Sequence, residues 1–582
     1  MQQSTYFGDS IAGDGFDVDP GGFEQEYEVH HTSGPKVAQV IGGAGTGKTT
    51  HLLQLMEKVI ERGTDPKKIG FVTFTKAARR EAAERAANKF GVTVEDLEVD
   101  GYFRTLHSTC YMLLKVSAKE MLTDNKESCE WIANALGEKV TEVSLDGAEP
   151  FKGRTKNEIV LGLWHCARNR LEPFEKTWER AMYSDENTPE LSYCRKVIES
   201  YEQHKRLDGR SDFTDLLGRY AGWKFYFDGP ERKQPEGEIP KVDAWFLDEC
   251  QDNSALSDAV ARRIVERSKW VYLVGDPFQA IYGWAGADSK HFMSWPIQDG
   301  KQMILQQTYR CPAPVIGLAE QILRNCSDYW DRGIAPAEHK GEVDLYASYK
   351  SPWVAELRPD QSWLLIARTN FQASRIGKRL DEAGIPWLPS GSKANNKWNA
   401  PVRHNTILAL RALQKGQPVS GDEWKLILKS IKSTKEKAYF TRGIKKEWEE
   451  KNTEGMFTNL EQIKPWGATD DFVHLIKTGA WINRIDGART FLDAASRFGY
   501  DAIREPKIKV GTVHSVKGAE ADNVLLLTST SHQIKRGQEH TDGFNEERRV
   551  EYVAVTRARK RLLVCSEVKQ RKNRQAMLCE VM

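Results

Sequence analysis

Gly42-Gly43-Ala44-Gly45-Thr46-Gly47-Lys48-Thr49 carries the spacing G-x-x-x-x-G-K-[ST] of a phosphate-binding loop. The residues before it, Val37-Ala38-Gln39-Val40-Ile41, read as a buried strand, and Leu52, Leu53, Met56, Val59 and Ile60 after it repeat at helical spacing. A glycine loop between strand and helix presents backbone N–H groups at the positive end of the helix dipole, with no Cβ to hold phosphates off. Lys48 can then meet the β- and γ-phosphates, and the Thr49 hydroxyl can hold Mg²⁺. Gly43, Ala44, Gly45, Thr46, Gly47 and Thr50 complete the candidate nucleotide contacts. The alternative is a glycine-rich turn in an unrelated loop; the flanking strand and helix argue against it. The stretch implies an α/β unit with a nucleoside triphosphate site.

With 582 residues the chain is long enough for several domains. A hydrophobic fraction of 40%, 29% charged residues and a mean hydropathy of -0.58 place it among soluble proteins. No apolar run is long enough to cross a membrane, and the first residues do not read as a secretion signal. Nine cysteines without a C-x-x-C pair argue against zinc and against a disulfide framework, so the cytoplasm is the expected location. A net charge of +2 neither demands nor excludes nucleic acid, because a local groove can hold a single strand by stacking.

Apolar strand-like runs recur at Ile69 to Phe74, Ala244 to Leu247, Val271 to Val274, Trp363 to Ile366, Val524 to Leu527 and Leu562 to Val564, many separated by helical patterns. That alternation predicts parallel α/β sheets, two of them for this length. Residues 111–200 and 391–500 read as helical insertions, and residues 1–22 as a polar arm.

Leu247-Asp248-Glu249-Cys250-Gln251-Asp252 follows a buried apolar strand. Asp248 is placed to hold Mg²⁺, directly or through water, and Glu249 to orient and deprotonate the attacking water. In Val274-Gly275-Asp276-Pro277-Phe278-Gln279, Gln279 is an uncharged group that can sense a γ-phosphate. Tyr282 and Trp284 follow in a Gly-rich loop, where flat faces suit a nucleobase; packing under the loop is the alternative.

With these segments in hand, the chain resembles superfamily 1 helicases of the UvrD/Rep/PcrA type. Thr73-Phe74-Thr75-Lys76-Ala77-Ala78 resembles motif Ia, Thr105-Leu106-His107-Ser108 motif Ib, Asp248 to Asp252 motif II and Val274 to Asp288 motif III. Asp212 to Leu217 resembles the segment that returns to the first motor domain. Gln307 to Pro312 resembles motif IV, Ala367-Arg368-Thr369-Asn370 motif IVa, Gly511 to Glu520 motif V and Glu546 to Ala558 motif VI. The resemblance implies two RecA-like parallel-sheet motor domains, each with a helical insertion. Motor 1A would span 23–110 and 201–290, insertion 1B 111–200, motor 2A 291–390 and 501–582, and insertion 2B 391–500. It further implies ATP-site roles for Lys48, Thr49, Asp248, Glu249 and Gln279, an adenine-stacking Tyr309, γ-phosphate arginines Arg310 and Arg557, and a ribose-side Glu520. Gln25 is the candidate adenine-reading glutamine. Phe74, His107, Tyr282, Trp284, Asn370 and His514 match DNA-contact positions; for each histidine a structural hydrogen bond is the alternative.

The chain departs from the family pattern at Ala285, where an arginine is usual, and at Ala519 and Ala521 in motif V. No nuclease segment follows motif VI, so a helicase–nuclease is not expected. The resemblance implies an ATP- and Mg²⁺-dependent 3′-to-5′ translocase and helicase, acting on single-stranded and tailed duplex DNA in replication, repair or recombination, as a monomer or weak dimer. The alternatives are a strand-bound ATPase that displaces proteins, and an RNA-directed motor. The basic stretch with Lys425, Lys429, Lys432, Lys435, Lys437, Arg442, Lys445 and Lys446 reads either as a duplex contact or as a solvated helical face.

Overall fold

The computed structural model describes residues 34–73, 76–138, 140, 155–184, 187–346, 353–390, 396–434 and 437–565. The expected arm, Gln25 and Phe74 lie outside the described residues. Two six-stranded sheets organise the chain, and every strand pair within them is parallel.

In the first sheet the spatial order is Tyr102–Arg104, Ile69–Val72, Ala244–Leu247, Trp270–Gly275, Lys36–Gly42 and Gln302–Leu305. Parallel pairing requires crossovers and buries both faces, which is why these strands read as unbroken apolar runs. Side chains still alternate. Val37 and Ile41 pack with Leu216, Tyr220, Leu256 and Val260 on one face, while Ala38 and Val40 pack with Leu52, Leu53, Met56 and Ala86 on the other. Gln39 also points inward, satisfied by the Phe292 carbonyl at 2.9 Å.

The second sheet runs Glu342–Tyr346, Ala558–Cys565, Ala521–Leu527, Trp363–Ala367, Ile508–Thr512 and Leu388–Pro389. Leu364, Ile366, Val524 and Leu526 face a core that includes Val553 and Phe278, and Trp363, Leu365, Leu525 and Leu563 face Ile376 and Leu380. Phe278 belongs to the first sheet's loops, so this core is continuous across the seam between the two units.

Both helical insertions have their own cores. The first packs around Trp164, Phe174, Ile198, Tyr201 and Phe227, the second around Trp424, Trp448, Phe472 and Trp481. A short antiparallel ladder, Val419–Ser420 with Phe457–Thr458, interrupts the helical character expected of the second.

Four expected boundaries do not coincide with breaks in the described structure; the one at 110/111 falls inside the helix Leu106–Leu114. The one at 200/201 falls inside the helix Leu191–Asp208, and the first insertion's core extends to Phe227. The one at 290/291 cuts off Gln302–Leu305, which pairs with the phosphate-loop strand and so belongs to the first sheet. The one at 500/501 precedes Ile503, which is buried in the second insertion's core. The expected strand Ile69 to Phe74 is shorter, Ile69–Val72. Among the described residues no helix is long and apolar enough to cross a membrane.

Candidate functional site

The Lys36–Gly42 strand ends at the glycine loop, and the helix Lys48–Glu61 starts directly after it. Gly47 caps that helix at φ 77°, a left-handed conformation that costs a Cβ-bearing residue roughly 1–2 kcal/mol. Gly45, at φ 71°, has a second constraint: a Cβ there would lie 2.3 Å from the Cβ of Arg310. The loop is thus pressed against the strand Gln307–Pro312 of the other unit. The Tyr309 N–H donates to the Gly45 carbonyl at 2.8 Å, and the Thr308 hydroxyl donates to the Ala44 carbonyl at 2.7 Å. Within the loop, the Thr46 hydroxyl and the Lys48 ammonium both donate to the Gly43 carbonyl, at 3.0 and 3.2 Å. Thr50 is exposed at the start of the helix.

Thr49 and Asp248 meet. The Thr49 hydroxyl donates to Asp248 Oδ2 at 2.8 Å. Burial first, then the adjacent Glu249, push the Asp248 carboxyl up to about 6. Glu249 behaves differently. Burial would raise it, but Lys517, Lys48 and the Gln251 amide outweigh burial and hold its carboxyl below the usual range. Glu249 therefore stays ionised, the form that can accept a proton. Its backbone sits at φ 54°, one of three non-glycine residues with positive φ among the described ones. Strain of this kind concentrates where a side chain has to be aimed.

The second unit faces this pair across the seam. Arg557 is 1% exposed; its guanidinium donates to the Gln279 side-chain oxygen at 3.4 Å and to the Val553 carbonyl at 2.8 Å. Burial, with Arg310 beside it, lowers that guanidinium to about 10, still charged at neutral pH. Arg310 donates to Glu520 at 2.5 Å, and Arg559 holds the same carboxylate at 3.0 Å. Glu520 is thus tied to two arginines. Tyr309 is 71% exposed and stands beside the loop, its ring 4.0 Å from where a Gly47 Cβ would be. Lys517 bridges the seam: its ammonium pairs with Asp252 and donates to the Gln279 carbonyl at 2.8 Å.

Beyond Gln279 the loop carries an aromatic cluster. Tyr282, Trp284 and His514 have ring centroids 6.0 to 6.4 Å apart. The three are not placed alike. His514 is 9% exposed and its Nε2 lies 3.1 Å from the Ile281 carbonyl. Burial and the charge of Arg368 lower its imidazole to about 3, so it carries no charge to offer a phosphate. Tyr282 packs on the second unit's core with the Lys517 ammonium 4.7 Å from its ring centre. Trp284 is half-buried, edge-on to Tyr282 and His514, and its indole N–H has no acceptor among the described residues. His107 sits in the first turn of Leu106–Leu114, edge-on to Phe213 at 5.6 Å. Asn370 is exposed at the first turn of Asn370–Glu382, which Thr369 and Gln372 cap reciprocally.

Sequence reasoning assigned no role to Lys517, Asp252, Asp276, Arg332 or Tyr552. Four of these lie inside quoted motifs, but their pairing across more than two hundred residues has no local signal. Arg332 lies in no motif.

Residues 22–296 match the UvrD/REP helicase N-terminal domain, and residues 414–569 match the UvrD-like helicase C-terminal domain. The chain is 26% identical over 397 residues to the ATP-dependent DNA helicase PcrA of Bacillus subtilis, covering 63% of this chain and 50% of that protein. It is 23% identical over 388 residues to PcrA of Staphylococcus aureus, with 64% and 50% covered. It is also 23% identical over 392 residues to the putative ATP-dependent DNA helicase YjcD of B. subtilis, with 62% and 48% covered. The chain spans about half the length of the curated relatives it matches. Two domain models that together take in most of the residues, on a fold of two parallel-sheet units meeting at a phosphate loop, establish that the chain belongs to the UvrD/Rep/PcrA family of superfamily 1 helicases.

Proposed function

We propose that this protein is an ATP-dependent DNA helicase that moves 3′-to-5′ along single-stranded DNA. The observation that carries the reading is the shared loop from Gln279 to Trp284. At one end Gln279 touches Arg557 of the other unit; at the other Trp284 offers a stacking face. A change in the seam therefore reaches the strand site within five residues.

The side chains fit a nucleotide with Mg²⁺. Thr49 and Asp248, 2.8 Å apart, are hard oxygen donors of the kind Mg²⁺ takes and would hold it. Mg²⁺, when bound, would neutralise charge on the β- and γ-oxygens. Lys48 would meet the phosphates, and Tyr309 would cover the adenine. Glu249 would take the proton of the attacking water, and Gln279 would orient that water. Arg557 and Arg310 would stabilise charge developing on the transferred phosphoryl group, a role worth on the order of 10³–10⁵ in rate. Arg310 would exchange Glu520 for phosphate. Stacking on Trp284 would contribute roughly 1–3 kcal/mol per base. The protein would act in the cytoplasm on single-stranded and tailed duplex DNA.

Unwinding of duplexes with a 3′ or a 5′ single-stranded tail, alongside displacement of a protein bound ahead on one strand, tests this reading. Unwinding from the 3′ tail alone is expected. Unwinding only from a 5′ tail would reverse the polarity, and displacement without unwinding would make the protein a strand-clearing ATPase. A preference for matched RNA over DNA would move it to RNA.

A further inference from the structure

Asp276 lies at the centre of the seam, 0% exposed. A charge buried without partners there would cost several kcal/mol. Its two oxygens take four donors. Oδ1 accepts from the Phe278 N–H at 3.1 Å and from the Arg332 guanidinium at 2.6 Å. Oδ2 accepts from the Gln279 side-chain amide at 2.8 Å and from the Tyr552 hydroxyl at 3.2 Å. That fills the acceptor capacity of a carboxylate.

Each donor reaches a different part of the molecule. Arg332 lies beyond the helix Ala313–Leu323; its other nitrogen holds Glu320 at 2.9 Å, and its guanidinium lies 4.6 Å from the centre of the Phe278 ring. The Tyr552 hydroxyl, while donating to Asp276, accepts the Ala44 N–H of the phosphate loop at 3.1 Å. One buried group therefore serves the phosphate loop, Gln279 and the helix Thr541–Val555 together.

The chemistry of the carboxylate decides which way Gln279 points. An ionised carboxylate only accepts, so the Gln279 atom facing it is the amide nitrogen. Oε1 is then on the opposite side, 3.4 Å from Arg557. A flipped amide would set oxygen against carboxylate and nitrogen against guanidinium, two repulsive contacts in a buried site. With its oxygen outward, Gln279 can accept a hydrogen bond from a water at the reacting phosphate.

We propose that Arg332 and Tyr552 are positioning residues which, through Asp276, lock the Gln279 amide with its oxygen toward the reaction site. This rests on the reading of the seam as an ATP-hydrolysing site. Neither residue would touch the nucleotide.

The test uses the full chain and four variants: Tyr552→Phe, Arg332→Lys, Gln279→Ala and Gln279→Ala with Tyr552→Phe. DNA-stimulated ATPase is measured as kcat and KM, and binding of a non-hydrolysable ATP analogue reports that the site is folded. A hydrogen bond to a charged group, lost in the transition state, corresponds to about tenfold in rate. Tyr552→Phe is expected to lower kcat about tenfold, with KM for ATP and analogue affinity little changed; Arg332→Lys should fall in the same way. Added to Gln279→Ala, Tyr552→Phe should cost almost nothing more, because the group it positions is gone. A purely structural role would instead lower analogue affinity, or would act equally with and without Gln279. Wild-type kcat in Tyr552→Phe, or a full further loss on the Gln279→Ala background, overturns the proposal. A wild-type chain that hydrolyses no ATP overturns the functional reading itself, and the proposal with it.

Discussion

Glu249 and Asp248 are adjacent carboxylates that the fold separates electrically. Asp248, facing Thr49, is raised to about 6, and Glu249, facing Lys517 and Lys48, is held low. Of the two, Glu249 is the one held ready to accept a proton in the proposed hydrolysis. Glu249→Gln should retain nucleotide binding and lose hydrolysis by about 10²–10⁴-fold, the worth of a positioned base. Normal turnover in a single-turnover assay would remove Glu249 from that role. His514 gives a second residue-scale expectation. Its folded pKa, about 3, lies below the ordinary value of 6.5, so between those values the unfolded chain binds the extra proton. Its contribution to stability is complete above pH 6.5 and is lost as pH falls toward 3, by at most about 1.4 kcal/mol per unit. His514→Gln should therefore flatten the fall in unfolding free energy between pH 7 and 5. Denaturant curves at several pH values read the difference, and parallel curves for the two proteins would contradict it. Single residues were also where the sequence was most and least legible. The phosphate loop and the acid pair announce themselves by spacing. For His514 the sequence left a strand contact and a structural hydrogen bond side by side, because burial in the seam has no local signal.

At the scale of elements, the first insertion is pinned to the sheet unit by charge. Arg168, on the helix Lys156–Arg170, pairs with Asp212 at 2.8 Å and Asp215 at 3.1 Å, and Lys205 pairs with Asp212 at 3.1 Å. Asp212 and Asp215 also form the capping box of the helix Phe213–Ala221, so the return into the sheet unit depends on this cluster. Arg168→Ala leaves Asp212 with one cation fewer and should destabilise the fold by about 3–5 kcal/mol, visible as a lower melting temperature. A melting point unchanged from wild type would show that the cluster contributes little. The second insertion carries the basic stretch. Lys425 and Lys445 donate to the Lys451 and Ile431 carbonyls at 2.7 and 3.2 Å, and Lys435 lies outside the described residues. Lys429, Lys432, Lys437, Arg442 and Lys446 are exposed. Neutralising those five should weaken binding to a tailed duplex and flatten its salt dependence, and should barely affect a short single strand. Equal weakening of both would place the stretch on the strand path. The element boundaries resisted prediction because Leu191–Asp208 packs in the first insertion's core and Gln302–Leu305 pairs with a strand more than two hundred residues away, and neither relation has a local signal.

For the whole molecule, the two parallel sheets were legible because unbroken apolar strand runs separated by helical crossovers leave a pattern along the chain. The contacts between the sheets were not, since Arg557 to Gln279, Tyr552 to Ala44 and Lys517 to Asp252 join residues more than two hundred positions apart. Those contacts are what would let hydrolysis in the seam alter the grip of Trp284 on a strand. The most direct test is the steady-state ATPase rate of the full chain with and without single-stranded DNA, for wild type and Trp284→Ala. The account predicts that the strand raises the wild-type rate several-fold, and that Trp284→Ala keeps the basal rate but loses most of the rise. A wild-type rate that is the same with and without the strand would contradict it.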